Sequence, residues 1–166
     1  MSQATPILAS LRSTSTLREH VKVGMGAIEK SHKSYIDEQL RAAFADSLET
    51  DENLKKGRDT ENRWDYLLGH ASSRAVVGLE PHTANNNAVP VVIKKREKAL
   101  EQLRPHLIDG ARVRAWFWVA SGKVDFLPME KATTRLANSG IAFVGKQLLA
   151  KHLAALEPET KKKKEA

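Results

Sequence analysis

The chain of 166 residues contains no cysteine. Disulfides, thiolate zinc sites and cysteine nucleophiles are therefore excluded, and a reducing, cytoplasmic setting is expected, because disulfides are rare there. Aromatic residues make up only 5% of the chain, three of them tryptophan, so a small domain should spend its indoles in the core. No apolar run approaches the roughly 20 residues needed to cross a bilayer, and no membrane span is expected. The chain has neither a G-x-x-x-x-G-K phosphate loop nor a G-x-G-x-x-G turn, so nucleotide-cofactor use is not indicated. It also lacks a G-x-S-x-G elbow, which argues against a serine hydrolase. Acidic residues are absent from the first 18 positions, which hold two arginines and seven Ser/Thr. That stretch lacks the continuous apolar centre of a secretory signal and reads, with the residues up to 25, as a flexible lead-in.

What is present describes an ordinary globular chain, 41% hydrophobic and 28% charged, sufficient for one domain with a real core. The net charge of +7 and pI near 9.7 favour an acidic partner, nucleic acid (DNA or RNA) first. A protein partner or a second copy of the chain is the other expectation. The charge is unevenly distributed. Residues 94–114 carry Lys94, Lys95, Arg96, Lys98, Arg104, Arg112 and Arg114 against three acids, whereas residues 28–62 carry nine acids against six bases. The Lys161–Lys164 run is flanked by Glu157, Glu159 and Glu165, so residues 157–166 read as a disordered, solvated tail. This leaves one domain over residues 26–156.

Periodicity sketches its elements. Ile28, Tyr35, Leu40, Ala43, Phe44 and Leu48 share one face of a helix over residues 27–48, followed by a polar connection over residues 47–63. Two apolar strands follow, near 64–69 and 74–81, the second closed by Pro81. The Asn85–Asn87 triplet supplies a helix cap, and Val89, Val92, Ile93, Leu100, Leu103 and Leu107 mark the apolar face of the next helix. Arg112 to Val119 alternates as a strand, Ser121-Gly122 turns, and residues 124–126 return as its hairpin partner. A helix at 130–137, a strand at 141–144 and a helix at 146–156 complete the order α-β-β-α-β-β-α-β-α. The expected class is α/β (α+β), a single mixed sheet of about five strands flanked by helices.

Asp65 and Glu80 are the unusual residues in this layout, because a carboxylate set into an apolar strand needs a cation, a hydrogen-bond network or exposure. They lie on what should be neighbouring antiparallel strands, and His82 follows Glu80 on the same sheet face. The pattern resembles the PD-(D/E)xK, or restriction-endonuclease-like, nuclease superfamily over about residues 28–107: an acidic helix, two strands and a basic helix. The resemblance implies a metal-dependent nuclease in which Asp65 and Glu80 bind Mg²⁺. Hard oxygen ligands suit that ion, which keeps several waters and would activate one of them on the scissile phosphate. His82 stands where the pattern has lysine, and Asp65 lacks its usual preceding proline. Lys94 or Lys95, one turn into the next helix, could deliver the missing ammonium, and Glu29 or Glu38 could complete the metal shell.

A structural role is open for the same groups. Asp65 could accept bonds from Arg63 or Arg74, and Glu80 could cap the asparagine loop. A non-catalytic nucleic-acid-binding protein or accessory subunit is the alternative function, using Lys94, Lys95, Lys98, Arg112 and Arg114 for phosphates. Trp116 and Trp118 alternate with those arginines and could stack on bases, although the core is the more ordinary place for them. His70, His106 and His152 show no metal-ligand spacing.

Overall fold

The computed structural model describes residues 4–54, 63–125 and 130–156. The tail over 157–166 and part of the polar connection lie outside the described residues. Eleven elements follow one another: α1 (Pro6–Ser10), β1 (Lys22–Val23), β2 (Phe44–Glu49), α2 (Thr50–Asn53), β3 (Tyr66–His70), β4 (Val76–Asn85), α3 (Ala88–Leu103), β5 (Val113–Asp125), α4 (Glu130–Asn138), β6 (Ile141–Phe143) and α5 (Ala150–Leu153). They build a single six-stranded mixed sheet in sequential order, with helices against it, an α+β architecture. β1 to β4 are antiparallel neighbours. β5 and β6 run parallel to β4 and β5 respectively, each reached through a helical crossover.

Strand alternation divides the core into two layers, because successive side chains point to opposite faces. Leu67, Val76, Trp116 and Trp118 face α1 and α3, together with Ile7, Leu17, Val92 and Leu103. Tyr66, Leu68, Val77, Leu79, Phe117 and Val119 face the opposite way, under Ile36, Leu40, Leu148 and Leu153. With both faces covered, the central strands are apolar nearly throughout, as strands buried on two sides must be.

Five local expectations are corrected. Residues 27–48 do not form one helix: two 3-10 helices, Lys30–Tyr35 and Glu38–Ala43, are followed by β2. The β3 ladder captures residues 44–49, so tertiary pairing overrides a helical spacing. The expected hairpin at Ser121-Gly122 is instead the interior of β5. Its partner β4 continues past Pro81 to Asn85, and the two strands stay parallel to the Asn85↔Asp125 pair, with a bulge between His82 and Ala84. Pro81 lies beyond the last β3 partner, Leu79, where β4 has one neighbouring strand and a proline is tolerated. The lead-in is ordered from residue 4, with Ile7, Leu11 and Leu17 each no more than 3% exposed. The last helix is only one turn long, continuing as a 3-10 turn over Ala154–Leu156.

Two glycines are required by packing. Gly69 pairs with Asp46 across β2 and β3, and a Cβ there would sit 1.9 Å from Asp46 Oδ1. That carboxylate accepts the Ile7 amide at 3.0 Å and the Leu8 amide at 3.3 Å, which caps α1 although Asp46 is buried. At Gly78 a Cβ would meet Trp116 and Trp64 at 2.7 and 2.8 Å. These indoles cross edge to face at 4.9 Å.

Candidate functional site

Tyr66 pairs with Leu79, so the antiparallel register sets Asp65 opposite Glu80, just before β3 begins. The Asp65 amide donates to Glu80 Oε1 at 2.9 Å. Lys95 comes from α3, where Ala88, Val92, Ala99 and Leu103 form the buried stripe. Lying three residues after Val92 and four before Ala99, Lys95 points toward the sheet, and its Nζ donates to Glu80 Oε2 at 2.7 Å. Glu80 is fully buried, while the Lys95 side chain keeps 19% of its surface. Glu80 and Lys95 thus meet on the α3 face of the sheet, beside Trp118, the β5 partner of Glu80, with Asp65 tied in through its backbone amide.

The electrostatics of the trio follow from burial and proximity. Burial pushes Asp65 up to about 6, against the pull of Lys95, and Asp51 and Glu29 add repulsion. Burial, reinforced by the Asp65 carboxylate, pushes Glu80 up to about 8 against Lys95 and the Asp65 amide. Burial alone would lower Lys95, but the Glu80 carboxylate, joined by Asp65 and Asp51, leaves the ammonium above its ordinary value. The three groups titrate as one unit, retaining near neutral pH a proton that isolated carboxylates would have lost.

The remaining sequence candidates are distributed unevenly. His82 is near enough to feel the Lys95 charge. Burial lowers its imidazole, although its Nδ1 lies 3.1 Å from the Thr83 carbonyl oxygen. Lys94 is exposed and Lys98 pairs with Glu101 at 3.4 Å, so neither joins the trio. Glu38 is exposed. Glu29 acts on Asp65 only through its charge. Arg112 and Arg114 are exposed at the start of β5, well before Trp118 on the strand. Glu80 does not cap the asparagine loop, because the Ala88 amide donates to Asn85 Oδ1 at 2.9 Å. Arg74 donates to the Ala4 carbonyl, and Arg63 meets Asp51 at 3.0 Å.

Sequence reasoning missed the neighbours of Asp65. Asp51 on α2 and His32 on a 3-10 helix both influence its charge. His32 Nδ1 lies 2.6 Å from Tyr66 Oη, with Glu29 3.9 Å from its other nitrogen. No local motif announces them, since His32 comes in on a distant 3-10 helix and Asp51 on the short α2.

Among the described residues no group of three His, Asp or Glu side chains is arranged to hold a metal ion. Magnesium asks for less, one or two carboxylates with water and substrate oxygens completing its shell. Asp65 and Glu80 are of that type. Each Glu80 oxygen accepts one hydrogen bond and has a second lone pair. No helix among the described residues is long and apolar enough to cross a membrane. No protein-family model, curated protein or solved structure matches the chain.

Proposed function

We propose that this protein is a metal-dependent nuclease, hydrolysing phosphodiester bonds at Asp65, Glu80 and Lys95. The observation that carries the reading is the buried Glu80 carboxylate held between the Lys95 ammonium and the Asp65 backbone amide, with the Asp65 carboxylate close enough to raise Glu80 through its charge. The PD-(D/E)xK resemblance calls for these three charges, with the lysine supplied here from the helix. Asp65 and Glu80 would hold Mg²⁺, which supplies charge neutralisation and water activation when bound. Lys95 donates to Glu80 and has further hydrogens for a developing phosphoryl charge. His82, lowered by burial, is a neutral imidazole at pH 7, suited to accept or pass a proton.

The decisive assay incubates the protein with mixed DNA and RNA, with and without Mg²⁺ or Mn²⁺. Asp65→Ala and Glu80→Ala are expected to lose metal-dependent cleavage while retaining a cooperative melt. Activity should rise between pH 6 and 8 as the two carboxylates ionise. Cleavage persisting in both variants would remove the assignment.

A second reading has its own support. Glu80 is fully buried with both oxygens hydrogen-bonded, an arrangement that also serves a non-catalytic nucleic-acid-binding protein with a structural ion pair. That reading expects salt-sensitive binding indifferent to Mg²⁺ and to Asp65→Ala.

A further inference from the structure

A second constellation lies at the other end of the α3 face. Two hollows adjoin there, sharing Gly110, Ala111 and Arg112 in their walls. One, of about 380 Å³, runs along the end of α3 and includes Leu100, Leu103, Leu107 and Ile108. Leu100 and Ile108 keep 38% and 42% of their surface, so apolar area is presented to solvent. The other, of about 310 Å³, is lined by Arg74, Arg112 and Arg114 with Ser10. Among the described residues, none of these three arginines forms an ion pair with a carboxylate. The one acid in these walls, Asp109, is paired with Arg12 at 3.2 Å.

Like charges crowded around an acid-free hollow repel one another, and an anion relieves that repulsion. Arg74 stands at φ +63° in the turn between β3 and β4, and its guanidinium also donates to the Ala4 carbonyl. Guanidinium forks match phosphate oxygens, and flat apolar surface beside them matches the face of a base.

We propose that the two hollows form one cleft that binds a nucleoside phosphate, the phosphate among Arg74, Arg112 and Arg114 and the base over Leu100 and Ile108. The ligand is a free nucleotide or the phosphorylated end of a strand, which share this chemistry. Each hollow is of small-ligand size, and an apolar compartment fused to a cationic one favours a nucleotide over an extended acidic peptide. The cleft is separate from the carboxylate site: Arg114 precedes Trp118 by four residues, about 13 Å of strand at 3.3 Å per residue. The proposal goes beyond hydrolysis and does not depend on it.

Titration calorimetry without divalent metal tests it, using adenosine 5′-monophosphate, adenosine, inorganic phosphate, a hexaglutamate peptide, and a hexanucleotide with and without a 5′-phosphate. The monophosphate should bind at least tenfold more tightly than adenosine or phosphate. Arg112→Gln combined with Arg114→Gln should weaken it about tenfold or more, each lost charged contact being of that order. Ile108→Ser should weaken the monophosphate and leave inorganic phosphate unchanged. Both substituted faces are exposed, and a thermal melt verifies folding. Glu80→Gln should bind as the parent does, so failure of the nuclease reading leaves this result intact. Tighter binding of the phosphorylated hexanucleotide than of the monophosphate identifies a strand end, and equal or weaker binding a free nucleotide. Hexaglutamate binding as well as the monophosphate, phosphate matching it, or unchanged affinity in the arginine variant would overturn the proposal.

Discussion

At the scale of single residues, the Glu80–Lys95 pair controls how stability depends on pH. Both carboxylates of the trio are raised in the fold, Asp65 to about 6 and Glu80 to about 8. The native state therefore binds more protons than the unfolded chain between about pH 4 and 8. The stability from these groups is fully present below the unfolded carboxylate range and is lost as pH rises through 6 and then 8. Lys95→Met keeps most of the side-chain stem and removes the charge. At pH 6 Glu80 stays protonated and the loss is small, whereas at pH 9 a buried carboxylate is left without its cation, at a cost of about 3 kcal/mol. Urea unfolding at the two pH values measures the difference. Gly69→Ala acts through sterics: the new methyl meets the Asp46 carboxylate and displaces the cap of α1. We expect a loss of about 3 kcal/mol from overpacking and broken buried bonds, read from the denaturation midpoint.

At the scale of elements, α3 carries most of the functional geometry, and its start depends on Asn85 Oδ1 accepting the Ala88 amide. Asn85→Ala should destabilise the protein by about 1 kcal/mol and increase hydrogen exchange in the first turn of α3. This helix was legible in the sequence, because Val89, Val92 and Leu103 keep the 3.6-residue spacing of one face. So was the antiparallel β3–β4 pair, and with it the register that sets Asp65 opposite Glu80. The sequence also offered Lys95 as a donor, but could not separate it from Lys94, since a lysine on a buried stripe looks solvated until its carboxylate partner is known. β2 and the full length of β5 were not legible. Asp46 and Ser47 are poor strand formers, and only the neighbouring ladders hold residues 44–49 and 121–125 extended. Asp46 as a helix cap was equally hidden, because its partners are Ile7 and Leu8, far away in the chain.

At the scale of the whole molecule, the sheet has two halves of different character. β1 to β4 form a meander of antiparallel neighbours, while β5 and β6 join in parallel after helical crossovers. The core draws on both ends of the described chain: Leu11 bridges to Leu107, and Ile36 to Leu148. This is why the first 25 residues, which carry no clear periodicity, could not be recognised as part of the domain. Their apolar side chains matter only once α3 and β2 exist to receive them.

The sequential strand order carries a kinetic consequence. Asp65, Glu80 and Lys95 are joined by contacts spanning 15 residues each, whereas β5 must close the loop from Val76 to Val113 before it can dock. Loop closure is slower for distant partners, so the ion pair is expected to form before β5 brings Trp118 alongside Glu80. Stopped-flow refolding should show Lys95→Met slowing the folding limb, while Trp118→Phe chiefly accelerates unfolding. The charges of the candidate centre would then act as an early fastening of the chain, engaged before the barrier is crossed.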